Sequence, residues 1–165
     1  MTVAADVVTL ATPRAADRAR VRAIIEATDV FRLEEVAIAL EVFDGAMAKP
    51  DVDYSHVGAF AQDQLLGWAA FGATPGTLGT WDLYWIAVDP TTHGRGIGRQ
   101  LMAHCEDVIA LRSGRLIVVE TSSRASYAPT RAFYERLGYT AQARIPGYYA
   151  PGDGLIVYTK AVTYV

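Results

Sequence analysis

The sequence contains little of what secreted, membrane-spanning or nucleic-acid-binding proteins use. Its single cysteine, Cys105, leaves no intrachain disulfide, which suits a reducing compartment such as the cytoplasm. No apolar run approaches the ~18 residues of a membrane-spanning helix, and the chain does not begin with a basic segment followed by an apolar one. The net charge of -3 at pH 7 gives no basic surface for nucleic acid. The composition therefore predicts a soluble cytoplasmic protein without nucleic-acid or membrane partners.

Histidine is scarce as well, and its placement argues against a metal site. His56, His93 and His104 lie far apart in the sequence and lack the spacing of metal ligands. We therefore predict neither a structural nor a catalytic metal. Cys105 shares the apolar positions of a helical pattern, so we predict a core side chain and not a nucleophile.

The alternation of apolar patterns with chain breakers predicts one α/β domain covering residues 1–165. The predicted order is β-α-α-β-β-β-α-β-α-β-β, without an internal repeat or a linker. Residues 7–13 read as the first strand, and Pro13 suits the first position of the first helix. A hairpin turn is predicted at residues 62–64, and the Pro- and Gly-rich residues 145–154 are predicted to be a loop between the last two strands.

A glycine-rich segment lies between an apolar strand pattern and a helical one. Its sequence is His93-Gly94-Arg95-Gly96-Ile97-Gly98-Arg99. Helix N-termini present backbone N–H groups and a positive dipole end, and glycines let the backbone approach phosphate oxygens. The dinucleotide fingerprint fails because Arg99 stands where its third glycine would fall, and no Gly-Lys-Ser/Thr of a P-loop occurs. The segment therefore predicts a phosphate-binding loop, with a plain strand-to-helix turn as the alternative.

Further residues around this loop form a pattern that resembles a known family. A strand ending in Val-Asp-Pro (88–90), the glycine loop, a helix and a strand are followed by Ala-Phe-Tyr-Glu-Arg-Leu-Gly-Tyr (132–139). This order resembles the GCN5-related N-acetyltransferase (GNAT) family over nearly the whole chain. The resemblance implies the GNAT fold, a mixed and mostly antiparallel seven-stranded sheet flanked by about four helices. It also implies acetyl-CoA as co-substrate, a primary amine as acetyl acceptor and, from the family alone, a homodimer.

The resemblance assigns the acetyl-CoA site to the strand end and the loop. In the family, the strand before the loop bonds the pantetheine arm through its backbone, and the loop binds the pyrophosphate. The corresponding residues are Ile86, Ala87, Val88, His93, Gly94, Arg95, Gly96, Ile97, Gly98 and Arg99. Two positions depart from the family pattern, because His93 replaces the Gln or Arg that opens the loop motif and Tyr127 replaces a frequent Asn. Since imidazole lacks the guanidinium fork, pyrophosphate binding shifts toward the backbone, Arg95 and Arg99.

Three side chains are candidates for the proton transfers of acetyl transfer to an amine. The resemblance places Tyr134 at the family's general acid, and the alternative is a buried helix aromatic beside Phe133. Asp82 stands at the start of a strand where many members have Glu, on the same strand face as Val88. Glu120 ends an apolar strand, and open α/β sheets bind ligands outside strand C-termini. We favour Asp82 over Glu120 as the general base, and either carboxylate can instead hold a loop by hydrogen bonds.

The acceptor side is predicted from aromatic and acidic residues. Phe31 and Glu34 lie at the start of the acid-rich second helix and form one predicted wall. Tyr148 and Tyr149 of the Pro- and Gly-rich loop form the other, with Asp153 facing the amine. The alternative for this loop is a plain hairpin connection. The acidic residues predict a small cationic acceptor.

The combined pattern predicts an acetyl-CoA-dependent N-acetyltransferase in which the amine of a small molecule or amino acid attacks directly. One alternative is a protein or peptide N-acetyltransferase. A groove for a polypeptide would favour that alternative, whereas a long loop over the site would favour a small molecule. The other alternative is a CoA-binding regulatory module without turnover.

Overall fold

The computed structural model describes residues 7–164, in which the chain forms seven strands and four α-helices. Their order is the predicted one, with short 3-10 helices at Ala15–Asp17, Pro90–Thr92 and Ala125–Tyr127. The bounds are β1 (Thr9–Ala11), α1 (Arg18–Ala27), α2 (Leu33–Ala48), β2 (Ser55–Ala61), β3 (Gln64–Ala73), β4 (Thr80–Val88), α3 (Ile97–Leu111), β5 (Leu116–Ser122), α4 (Ala128–Arg136), β6 (Thr140–Ala150) and β7 (Asp153–Ala161).

The strands form one mixed sheet in the order β1-β2-β3-β4-β5-β7-β6. β4 and β5 are parallel, whereas β1 with β2, β2 with β3, β5 with β7 and β6 with β7 are antiparallel. The parallel pairing of β4 with β5 follows from their connection, since parallel neighbours need a long crossover and α3 provides it. The predicted mixed, mostly antiparallel seven-stranded sheet with four helices is confirmed.

The described chain divides into two compact units, and each has its own packing. The first unit comprises residues 7–71 and Trp85–Cys105. In its core, the apolar faces of α1 and α2 pack with side chains of β2, β3 and β4. The largest fully buried members are Trp68, Phe43 and Ile24. Apolar residues at helical spacing on α1 and α2 explain why these segments fold onto that core.

The second unit comprises Gly72–Tyr84 and residues 106–164. β7 lies between β5 and β6 and pairs with both over most of its length. Buried tyrosines fill this unit, and the hydroxyl groups of Tyr139 and Tyr158 donate hydrogen bonds to Glu106 and Glu135. These bonds meet the requirement that a buried phenol finds a polar partner.

The first strand and the first helix begin and end differently from the prediction. The strand is limited to Thr9–Ala11, and Pro13 does not begin α1. Instead the backbone N–H of Arg14 donates to the carboxylate of Asp17 at 2.7 Å, which starts the short 3-10 helix before α1. The prediction that Pro13 begins the helix was wrong. The carboxylate that accepts from the Arg14 N–H belongs to Asp17, three residues further along the chain.

The predicted loop at residues 145–154 is wrong as secondary structure. β6 continues to Ala150 and β7 begins at Asp153, so only two residues turn the chain. The strand passes Pro146 because β6 lies at an edge of the sheet, where a missing N–H is tolerated. Gly147 adopts a φ of 67° within an irregular register between residues 145 and 150, which lets the hairpin continue.

Candidate active site

The glycine loop begins at a fixed turn in the first unit. Asp89 follows β4, and its Oδ1 accepts hydrogen bonds from the N–H and hydroxyl of Thr91 at 2.9 and 2.8 Å. Thr92 then donates from its N–H and its hydroxyl to the carbonyl of Asp89 at 2.9 and 2.8 Å. The turn explains the Asp-Pro sequence, because the proline has no N–H to satisfy and the aspartate caps the residues that follow.

Beyond this turn, the loop has the open backbone that a phosphate group needs. Gly94 and Gly96 adopt φ values of 83° and 72°, a region that residues with a Cβ rarely visit. Apart from the glycine itself and its chain neighbours, no heavy atom lies within 4 Å of where a Cβ would stand at either position. His93, Arg95 and the two glycines are exposed to solvent. The predicted loop therefore forms, with its backbone accessible.

The first turn of α3 supplies the donors for an anion. Gln100 donates to the carbonyl of Gly96 at 3.0 Å, so the amides of residues 97–99 precede the helical hydrogen-bond ladder. Ile97 is buried and fixes this turn, whereas Arg99 is exposed and Gly98 is partly exposed. Glycine backbone, helix amides and arginine charge together suit a pyrophosphate, which supports the predicted CoA loop.

The strand before the loop alternates as predicted. Ala87 is buried, whereas Ile86 and Val88 are partly exposed on the other side of β4. The same alternation holds at the start of the strand, where Asp82 is partly exposed and Leu83 is buried. Each residue whose backbone is predicted to bind pantetheine thus lies in regular strand conformation, and the pantetheine contact itself stays a prediction.

The two candidate bases lie near one another in the second unit. The parallel register pairs Asp82 of β4 with Val118 of β5, and Glu120 follows two residues later on the same face. Burial raises the pKa of Glu120, and the negative charge of Asp82 raises it further. Asp82 accepts a hydrogen bond from the hydroxyl of Thr74 at 2.6 Å. A carboxylate with a raised pKa beside a second carboxylate is typical of acid–base sites.

Tyr134 is buried in an aromatic cluster of the second unit. Its side chain is 4% exposed, and its ring centroid lies 5.5, 5.7 and 6.3 Å from those of Phe133, Tyr139 and Tyr158. Arg131 anchors the same helix by donating to the carbonyls of residues 122 and 124 at 2.6 and 3.0 Å. The packing fixes the ring, and the role of Tyr134 as general acid stays a prediction.

Asp153 does not face an acceptor amine, which corrects the sequence expectation. Its side chain is buried, accepts from the hydroxyl of Ser122 at 2.5 Å and lies 3.3 Å from the guanidinium Nε of Arg124. The hydroxyl of Ser123 also accepts from the N–H of Gly154 at 2.7 Å. This network ties the end of β5 to the start of β7. No sequence pattern indicated it, because the partners are about 30 residues apart and each resembles an ordinary loop residue.

The aromatic candidates on the acceptor side form two pairs, one in each unit. The rings of Phe31 and Trp85 lie 5.0 Å apart and pack against the core of the first unit, with Glu34 exposed in the first turn of α2. In the second unit, the rings of Tyr148 and Tyr149 lie 4.9 Å apart and perpendicular to each other. Tyr148 is 54% exposed, so these tyrosines present their rings to solvent on the β6–β7 hairpin.

Within residues 7–164, no cluster of three or more His, Cys, Asp or Glu side chains has an arrangement that could hold a metal ion. In the same residues, no helix is long and apolar enough to cross a membrane.

The seven-stranded sheet and the glycine loop before α3 are typical of acyl-CoA-dependent acyltransferase domains. A family model described as an acetyltransferase (GNAT) domain matches residues 53–141, just over half of the chain. The chain belongs to the GNAT family, as the sequence resemblance predicted.

Individual relatives agree with this family. The [ribosomal protein bS18]-alanine N-acetyltransferase of Salmonella typhimurium is 34% identical over 101 residues, which span 61% of this chain and 65% of that protein. The chain thus spans less than two thirds of that curated relative. A GNAT-family crystal structure from Desulfovibrio desulfuricans is 39% identical, with a TM-score of 0.91, and the match covers 95% of this chain and all of that one.

A more distant structure shares the fold and contains coenzyme A. An aminoglycoside 6'-N-acetyltransferase in complex with coenzyme A has a TM-score of 0.75 at 19% identity, with 95% of this chain and 98% of that chain covered. At this identity the likeness concerns the fold alone.

Proposed function

We propose that this chain is an acetyl-CoA-dependent N-acetyltransferase that acetylates a primary amine by direct attack. The observation that carries the proposal is the glycine loop before α3, whose open, positive-φ backbone lies in the segment that the GNAT domain model matches. Acetyl-CoA supplies the acetyl group as a thioester. All other steps below concern side chains and backbone of this chain.

The glycine loop binds the pyrophosphate. Backbone N–H groups at the start of α3 donate to it, and Arg95 and Arg99 add positive charge. His93 stands where the family pattern has Gln or Arg, and its imidazole lacks the guanidinium fork, so Arg95 and Arg99 carry more of the electrostatic attraction. The backbone of Ile86, Ala87 and Val88 binds the pantetheine arm.

Glu120 is the proposed general base, which reverses our sequence-based preference for Asp82. An amine has a pKa of about 10.4 in water and must lose its proton before it attacks. A base works best when its pKa lies near the working pH. Burial and the charge of Asp82 raise the pKa of Glu120 in that direction, and Glu120 keeps access to solvent, through which the proton leaves. Asp82 accepts a hydrogen bond from Thr74, and its negative charge contributes by raising the pKa of Glu120.

Tyr134 is the proposed general acid. Its phenol donates a proton to the departing thiolate, and its fixed ring makes positioning more important than driving force, because a phenol is a weaker acid than a thiol. Cys105 is buried in α3 and takes no part.

Two acceptor classes remain, and different observations favour them. Phe31 and the exposed carboxylate of Glu34 favour a small cationic amine. A strand hairpin with Tyr148 and Tyr149 exposed replaces the expected long loop at residues 145–154, and this favours a polypeptide amino terminus, because these residues do not form the loop that was expected to cover a small molecule. The relative that acetylates a ribosomal protein's alanine supports the second class.

The experiment is calorimetric titration with acetyl-CoA, followed by release of free CoA thiol in the presence of small amines, amino acids and peptides beginning with alanine. Binding with amine-dependent thiol release supports the proposal, and the active amine identifies the acceptor class. Binding without release from any amine favours the regulatory module. Sedimentation of the same preparation measures the oligomeric state, for which the family leads us to propose a homodimer.

Variants separate the catalytic roles. We expect Glu120→Gln to remove the acidic limb of the rate–pH profile and Tyr134→Phe to lower turnover without changing CoA affinity. Unchanged turnover in Tyr134→Phe would remove this tyrosine from the mechanism. A retained acidic limb in Glu120→Gln would return the role of base to Asp82.

A further inference from the structure

Arg20, on α1, connects three parts of the first unit. Its Nε donates to the backbone carbonyl of Leu65 on β3 at 3.0 Å. Its terminal nitrogen donates to Oδ2 of Asp89, the residue that begins the turn into the glycine loop. The side chains are 31% and 13% exposed, so this ion pair is largely shielded from water. The Arg20–Asp89 contact spans 69 residues of sequence, and Arg20 lies outside the Val-Asp-Pro and glycine-loop motifs.

Both oxygens of the Asp89 carboxylate accept hydrogen bonds, and each oxygen binds a different partner. Oδ1 accepts from Thr91 and so shapes the turn, whereas Oδ2 binds Arg20. The backbone N–H of Asp89 also donates to the carbonyl of Leu66 at 2.8 Å. Burial by itself would raise the pKa of Asp89, but the hydrogen bonds from Thr91 and Arg20 outweigh it and lower that pKa. The carboxylate is therefore charged at neutral pH.

The glycine loop benefits from such an attachment because its two positive-φ glycines are surrounded by open space. Nothing packs within 4 Å of the Cβ positions of Gly94 and Gly96, and glycine backbone is the most flexible in the chain. The loop is held at one end by the buried Ile97 of α3 and at the other by the Asp89 turn. A shift of that turn changes where the loop amides point.

We propose that Arg20 is a positioning residue for co-substrate binding, which holds Asp89 and thereby sets the glycine loop in the conformation that receives the pyrophosphate. This inference rests on the proposed function, because it assigns the loop to acetyl-CoA. Under this proposal α1, which lies outside the glycine-loop motif, contributes to the affinity for acetyl-CoA without a contact between Arg20 and the ligand.

The test uses ADP as the probe, because ADP presents a pyrophosphate without a thioester. We expect Arg20→Met, which keeps the aliphatic stem and removes the guanidinium, to raise the Kd for ADP roughly tenfold, since small misplacements of binding groups are costly. The matched control is Arg18→Met on the same helix. Arg18 pairs with Asp44 of α2 at 2.7 and 2.8 Å, and both side chains are about half exposed, so this ion pair is open to solvent and is not the one that holds Asp89. That variant should keep the wild-type Kd.

A second readout separates positioning from general stability. With acetyl-CoA, Arg20→Met should raise KM and keep kcat at saturation, whereas its rate with S-acetylpantetheine, which lacks the pyrophosphate, should equal that of the wild type. Arg20→Lys keeps the charge but loses the two-pronged geometry, so its Kd should fall between those of Arg20→Met and the wild type. If Arg20→Met does not fold, Asp89→Asn gives the same expectation, because it keeps an acceptor for Thr91 and loses the charge that faces Arg20.

The outcomes distinguish this inference from the proposed function. A Kd for ADP within about twofold of wild type in a folded Arg20→Met or Asp89→Asn protein overturns it, because such a change is within the effect of an ordinary surface substitution. Equal weakening in Arg18→Met overturns it as well, and so does a wild-type protein that does not bind ADP. ADP binding does not require turnover. A wild type that binds ADP but transfers no acetyl group therefore refutes the proposed function alone.

Discussion

Protonation of His56 is expected to destabilise the folded protein as the pH falls below neutral. The imidazole lies on β2, where its Nδ1 accepts a hydrogen bond from the indole N–H of Trp68 at 3.3 Å. Trp68 is fully buried, and Phe43 of α2 packs edge-on against the imidazole, with 5.3 Å between the ring centroids. Burial lowers the pKa of His56, and the charge of Asp51, which acts in the opposite direction, does not compensate.

The sign and size of the effect follow from this environment. Protonated imidazole donates from both nitrogens, so the Trp68 N–H would lose its acceptor, and an unsatisfied buried donor costs about 1–3 kcal/mol. Because the folded state binds the proton more weakly than the unfolded chain, stability is full above the unfolded pKa of about 6.5 and falls below it. For one proton, the free energy of unfolding can fall by at most about 1.4 kcal/mol per pH unit. This dependence on pH ends below the folded-state pKa of His56.

The assay is urea unfolding followed by tryptophan fluorescence at a series of pH values between about 5 and 8. In His56→Asn, the amide oxygen can accept from Trp68 and does not titrate. We expect this variant to reduce the pH dependence of the free energy of unfolding by the contribution of one proton. His104→Asn on α3 is the matched control and should keep the wild-type pH dependence, because the indole N–H of Trp68 donates to His56. An unchanged slope in His56→Asn would refute the reasoning.

Three further predictions concern single groups. Gly114→Ala should lower the free energy of unfolding by about 1–3 kcal/mol in thermal unfolding, because its Cβ would lie 2.2 Å from Cγ2 of Ile109. A Tm equal to wild type would contradict it. Glu120→Gln should raise the free energy of unfolding near neutral pH, since a raised carboxyl pKa marks a charge that folding disfavours. That gain should vanish below about pH 4, where both states are protonated. Gly67→Ala should weaken ADP binding, because its Cβ would lie 3.0 Å from Cδ1 of Leu101 and displace the start of α3. Leu101→Ala in the same chain should restore affinity if this contact is the cause.

Local chemistry made the element order and the glycine loop predictable from the sequence. The turn at residues 62–64 was predicted from polar residues between two apolar runs, and Gln62 and Asp63 adopt φ values of 47° and 64° there. Strand alternation likewise made the buried Ala87 between the partly exposed Ile86 and Val88 predictable. Each of these features depends on neighbours within a few residues.

Features that depend on contacts between residues far apart in the sequence could not be predicted. The proximity of Glu120 to Asp82 requires the parallel register of β4 and β5, which no local pattern specifies. The pairing of Arg20 with Asp89 requires the packing of α1. The hairpin at residues 145–154 was mistaken for a loop because proline and glycine usually break strands, and an edge position relaxes that rule.

The same edge position of β6 has a consequence for how the protein behaves at high concentration. An exposed edge strand of 11 residues is a template onto which other chains can add, and such growth leads to aggregation. Pro146 removes one donor in the middle of that edge, and Gly147 turns the backbone beside it. An added strand would therefore find two short, misaligned segments in place of one continuous ladder. Pro146 and Gly147, which made this part of β6 look like a loop in the sequence, thus also disfavour its pairing with strands of other chains.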